Sequence, residues 1–194
     1  MTLSRFQVIC FCVILGAIFL LPGALGAQRV DLSDDFNQLL TEVDAQLVLP
    51  VEADYKDIRP LKNRWMDYDF SIRSRKEKME IRYKILPFEV ENRTFYAPHV
   101  KAMQVMMQVA SNQEDAIVST ISLSEKSLKE DFRADWGKLF TFTPKEEFSN
   151  KQTCQLITLF REGKGMVFLF FLFNKPPMEL TYRHLAVSFG ETDL

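Results

Sequence analysis

Residues 166–173 read Met-Val-Phe-Leu-Phe-Phe-Leu-Phe, a run without one polar position. A strand with one face in water alternates polar and apolar residues, so a run lacking alternation must be covered on both faces. It is also too short to cross a membrane as a helix, which takes about 20 residues. The segment is therefore expected as a central strand. Upstream, Thr153–Phe160 is a second strand-like run, and Arg161-Glu162-Gly163-Lys164-Gly165 joins the two. Two strand patterns around a short glycine-containing turn specify a hairpin.

A second hairpin precedes it. Tyr68, Phe70 and Ile72 alternate with Asp69, Ser71 and Arg73, and Met79, Ile81, Tyr83 and Ile85 alternate with Glu80, Arg82 and Lys84. This pattern predicts one buried face, with the charged Arg73–Lys78 stretch as a solvated turn. Ser33 is an N-cap candidate for a helix carrying Phe36, Leu39, Leu40, Val43 and Leu47 on one stripe. That helix is expected to reach about Leu47, followed by a polar connection over Val48–Arg64. Pro98 suits the first position of another helix, with Val100, Met103, Met106, Met107 and Ala110 on one side. Ile117–Leu123 reads as a third strand and Leu139–Phe142 as a fourth. Ser124 or Ser127 starts a short helix between them, to about Ala134. Beyond Pro176-Pro177 a short helix and an edge strand over Leu185–Phe189 complete the chain. Hairpins with helices between them predict an α+β fold: an antiparallel β-sheet with helices packed on it, sandwich-like in α-β-α order.

The N-terminus has a different character. Arg5 is followed by an apolar run from Val8 to Leu21, then Pro22-Gly23 and the small residues Ala24-Leu25-Gly26-Ala27. Charge, apolar core and small-residue site in that order read as a secretory signal peptide, cleaved after Gly26 or Ala27. The expected mature protein is exported, periplasmic or secreted, with residues 28–194 as a single domain. Residues 28–64 supply its N-terminal helix and connection. Losing Arg5 takes the net charge from −2 to about −3. That balance argues against nucleic acid, and the short apolar segment argues against stable membrane insertion once cleaved. Cys154 is the one cysteine outside the signal segment, so no internal disulfide is expected.

Chemistry-bearing residues are sparse. His99 and His184 are far apart, with no cysteine or carboxylate at metal-ligand spacing. No metal and no cofactor is therefore expected. Cys154 shares a strand face with Leu156, Thr158 and Phe160 and reads as a small buried hydrophobe. No Gly-x-Ser-x-Gly elbow, Walker loop or dinucleotide fingerprint occurs. Asn92-Arg93-Thr94 is a glycosylation sequon in a eukaryotic secretory pathway. The most suggestive local site is Asp135-Trp136, on a helix-to-strand loop, with an aromatic wall and a polar handle. His99 is grouped with these two as a binding candidate.

The segment Leu139-Phe-Thr-Phe-Thr-Pro-Lys, with the hairpin of Gln152–Phe160 and Met166–Phe173, resembles the sheet of PsbP-like extracytoplasmic modules. The resemblance covers about the last third of the chain and is one of pattern. It implies an α-β-α sandwich and a non-enzymatic accessory protein that docks on larger assemblies. Function is accordingly expected to be binding to a protein partner. One alternative is a carrier of an apolar small molecule held by Met103, Met106, Met107 and the phenylalanine-rich strands. Another is a hydrolase-type enzyme using Asp135 with His99 or His184.

Overall fold

The structure, a computed structural model, describes residues 30–49, 53–60, 62, 64–91 and 97–190. The segment expected to be a signal peptide and the sequon at 92–94 lie outside these residues. Ser33 Oγ accepts from the Phe36 N–H at 3.3 Å and caps α1 (Asp34–Glu42), whose first turn carries Asp34 and Asp35 at the positive helix end. The helix ends earlier than its apolar spacing predicts. Asp44 adopts a φ of 54°, and the Gly190 N–H donates to its carbonyl at 2.6 Å. The chain reverses there into β1 (Ala45–Leu47), so Leu47 belongs to a strand.

The main sheet is built from β2 (Lys56–Asp57), β3 (Phe70–Ser74), β4 (Met79–Pro87), β5 (Ser119–Ser122), β6 (Trp136–Phe142), β7 (Thr153–Arg161) and β8 (Gly165–Phe173). Its seven strands are antiparallel in the order β2-β3-β4-β8-β7-β6-β5. Between them lie α2 (Pro98–Val109) and α3 (Glu125–Ser127), the latter capped by Ser124 and continuing through a π-turn over Leu128–Phe132. After the sheet come α4 (Leu180–His184) and β9 (Val187–Phe189). β9 pairs with β1 as a separate two-stranded ribbon and does not extend the main sheet.

β8 is central and wholly buried, as its composition requires. Val167, Leu169, Phe171 and Phe173 enter one core with Phe36 and Leu40 of α1 and Val187 and Phe189 of β9. Met166, Phe168, Phe170 and Leu172 enter a second core with Ala102, Val105, Met106 and Val109 of α2. Each fully buried Leu or Phe stabilises the fold by about 1.5–3 kcal/mol. The architecture is therefore α+β, an antiparallel sheet clothed on both faces. Among the described residues, no helix is long and apolar enough to cross a membrane.

Three local expectations need correction. In β4 the polar residues are not all in water: Glu80 and Arg82 are buried on the α2 side. Arg82 Nε donates to Glu80 Oε1 at 2.6 Å and Arg73 Nη2 to Glu80 Oε2 at 2.6 Å, so the carboxylate is paired twice. In α2 the buried stripe is Ala102, Val105, Met106 and Val109, while Val100, Met103 and Met107 are exposed. The small Ala102 lets that face approach the sheet. The stretch after Val48 is more than a surface connection, because Tyr55 is buried and Lys56–Asp57 forms the β2 edge.

Candidate functional site

Antiparallel pairing gathers distant segments at one end of the sheet: the β3–β4 turn, the residues before β7, and those following β8. The turn is shaped by Ser74, whose Oγ accepts from the Glu77 N–H at 2.9 Å and donates to the Asp54 carboxylate. Asp54 also accepts from the Lys76 N–H at 3.2 Å. The Ser74 hydroxyl, foremost among these hydrogen bonds, holds the Asp54 carboxyl below the usual carboxylate range. Lys78, at a φ of 53°, completes the turn.

This stretch is not the wholly solvated hairpin end that its charges suggest. Glu77 turns inward, where Arg183 of α4 donates through Nη2 to its Oε1 at 2.6 Å and the Tyr55 hydroxyl donates to its Oε2 at 2.6 Å. The Glu77 and Arg183 side chains are only 9% and 8% exposed. Burial first, and then the Glu77 hydrogen bond and charge, push the Tyr55 hydroxyl far above its ordinary range, so it stays protonated.

Above this cluster opens a cleft of about 960 Å³, lined by Lys76, Lys78, Lys151, Lys175, Glu179 and the Pro176-Pro177-Met178 loop. None of the four lysine ammonium groups forms an ion pair among the described residues. Glu77 is already neutralised by Arg183, which leaves Glu179 as the one other acid on the lining among the described residues. The cleft is therefore basic in a chain whose net charge is −2. It suits an anionic group, with the exposed Met178 as apolar contact beside it.

Lys151 also borders a neighbouring cavity of about 1110 Å³, with Trp65, Asn112, Gln113, Asn150 and Gln152 on its walls. Lys145 Nζ lies 4.0 Å from the Trp65 ring centroid and donates to the Gln108 carbonyl at the end of α2 at 2.7 Å. Arg82 braces the same loop from beneath. Its guanidinium lies 4.7 Å from both the Tyr68 and Phe148 ring centroids, and Nη1 donates to the Phe148 carbonyl at 2.6 Å. The buried charges thus hold the loop that carries Lys145 and Lys151.

The sequence candidates lie elsewhere. Trp136 opens β6 opposite Phe160, at the far end of the sheet from the lysines, and is a strand residue rather than a loop one. Its half-buried side chain packs on the α2-side core. Asp135 is exposed, and its Oδ2 accepts from the Glu162 N–H at 2.7 Å, bracing the β7–β8 turn. His99 is exposed on the first turn of α2 and forms no hydrogen bond or ion pair with Asp135. His184 is half-buried, with its ring edge-on to Phe171 at 4.9 Å, and burial lowers its pKa to about 4. The Cys154 thiol is buried, and burial pushes it up, as expected for a core residue. Met106 alone of the three α2 methionines is buried, so Met103 and Met107 cannot line an internal cavity with it. Among the described residues, no three of His, Cys, Asp and Glu come together in a metal-holding group.

Sequence reasoning passed over Tyr55, Glu77, Arg183 and the lysines. The charged turn was a visible signal, but its partners are not local: Asp54 and Tyr55 come from the segment before the hairpin and Arg183 from near the other end of the chain. Comparison of the chain with family models, curated proteins and solved structures finds no match.

Proposed function

We propose that this chain is an exported, non-enzymatic binding protein whose lysine cleft captures an acidic segment of a protein partner. The observation that carries the reading is the four lysines around one cleft that form no ion pair among the described residues, over a floor acid already satisfied by Arg183. Charge complementarity of this kind steers association and selects partners. A short acidic peptide matches a cleft of about 960 Å³, whereas nucleic acid needs a broader basic surface than a chain of net charge −2 provides. The arrangement does not favour catalysis: neither histidine hydrogen-bonds to a carboxylate among the described residues. The leader-like N-terminus and the PsbP-like strand pattern agree with an accessory role outside the cytoplasm.

The test is fluorescence anisotropy with a labelled hexaglutamate peptide, titrated against the wild type, the double variant Lys76→Glu/Lys175→Glu, and a control reversal at the exposed Lys129. Binding is expected to weaken about tenfold or more in the double variant and to fall with salt, while the control binds as wild type. Binding that ignores both the double reversal and salt, or no binding by the wild type, overturns the reading.

A further inference from the structure

The two edges of the seven-stranded sheet are built differently. At one edge β2 is two residues long and both are charged, which is how proteins ordinarily blunt an edge. At the other edge β5 has no such guard. The segment from Ala116 to Ser124 contains neither a charge nor a proline, and every residue of β5 is exposed. Ile117 is 77% exposed, Ile121 59% and Val118 39%. The main-chain groups are open as well. The Leu123 N–H donates to the Gly137 carbonyl opposite it, so in antiparallel alternation Ser119 and Ile121 also bond to β6. Val118, Thr120 and Ser122 consequently direct their N–H and C=O groups outward. No described residue hydrogen-bonds to them there.

We infer that β5 is a self-association edge at which a second copy of this chain adds its own β5 in antiparallel register. The uncharged segment is centred on Thr120, and an antiparallel two-fold axis at that residue lays the segment over itself. Val118 then pairs with Ser122 of the second copy, and Thr120 with its own counterpart; these are the residues whose main-chain groups face outward. On the α1-side face Ile117 meets Leu123 and Ile121 meets Ser119. Such an isologous contact needs no complementary charge on the partner, and a neutral edge offers none. An acidic chain meets its own copy with least repulsion where it carries no charge. Because β5 in the second copy runs the opposite way, the two lysine clefts would open at opposite ends of one continuous sheet. The contact is smaller than a permanent interface, so the dimer is a reversible one.

Sedimentation equilibrium of the purified chain over about 1–500 µM, with amide exchange at its two ends, tests the inference. The wild-type mass is expected to rise toward twice that of one chain, and the amides of Val118, Thr120 and Ser122 to gain protection as concentration increases. Thr120→Pro removes an outward N–H without touching the β6 ladder, and Ile121→Lys charges the edge; each should hold the mass at one chain with an unchanged melt. If Thr120→Pro fails to fold, Ile121→Lys still decides the matter, since its side chain lies largely in solvent. A wild type that stays monomeric across the range overturns the inference. So does a dimer that persists undiminished in a folded variant.

Discussion

His184 shows how one side chain sets a pH limit on the fold. Its Nε2 is buried with no hydrogen-bond partner among the described residues, and desolvation lowers its pKa from 6.5 to about 4. The folded state therefore prefers the neutral ring. Its contribution is complete above pH 6.5 and is lost as pH falls toward 4, because the unfolded chain takes up the proton first. At about 1.4 kcal/mol per unit, reduced for partial exposure, the loss is roughly 2–3 kcal/mol. Urea unfolding at pH 7 and pH 4.5 should show His184→Phe losing less stability on acidification than the wild type, by about that amount. Equal losses would disprove the assignment. The buried pair in β4 was invisible for a related reason. Alternation marks Glu80 and Arg82 as a polar face, but it does not distinguish a face turned to water from one whose charges are paired. Arg82 is satisfied by Phe148, far along the chain, and by its neighbour Glu80.

The two hairpins were legible because their alternation and turns are local. The boundary of α1 was not, because it depends on Gly190, which donates to Asp44 from the other end of the chain. In α2 two apolar stripes lie side by side, and only the sheet decides which is buried. The Gly163-Lys164-Gly165 turn gives the sharpest prediction for an element. Gly163 has a φ of 70° with open space where a Cβ would lie, whereas Gly165 has a φ of 135° and a Cβ would come within 2.2 Å of the Leu86 carbonyl oxygen. Gly163→Ala should cost about 1–2 kcal/mol, the penalty of a left-handed conformation. Gly165→Ala should cost clearly more, since backbone in the neighbouring strand must also move. Denaturant midpoints of the two variants give the comparison, and equal costs would mean that β4 and β8 approach less closely than described.

For the whole molecule, the apolar run of β8 determined the outcome most strongly: a central strand needs partners on both sides and layers on both faces. Val167 is 1% exposed and lies between Ile85 and Leu159 in the sheet, with no cation in either facing position. Val167→Asp should abolish the cooperative thermal transition, because the buried carboxylate would be unpaired. A transition at the wild-type midpoint would place β8 elsewhere. The lysine cleft was hidden from sequence reading because its parts are scattered from Tyr55 to Arg183 and meet only when the sheet closes. The pairing of β4 with β8, in which Glu80 faces Leu172, also sets the order of events during synthesis. The inner edge of the first hairpin stays open until nearly the last strand has left the ribosome, and non-local pairing of this kind forms slowly. A chain wired in this way keeps its central seam unsealed while its local hairpins already exist, so the joining of finished pieces, rather than the making of any one of them, is the last step of its folding.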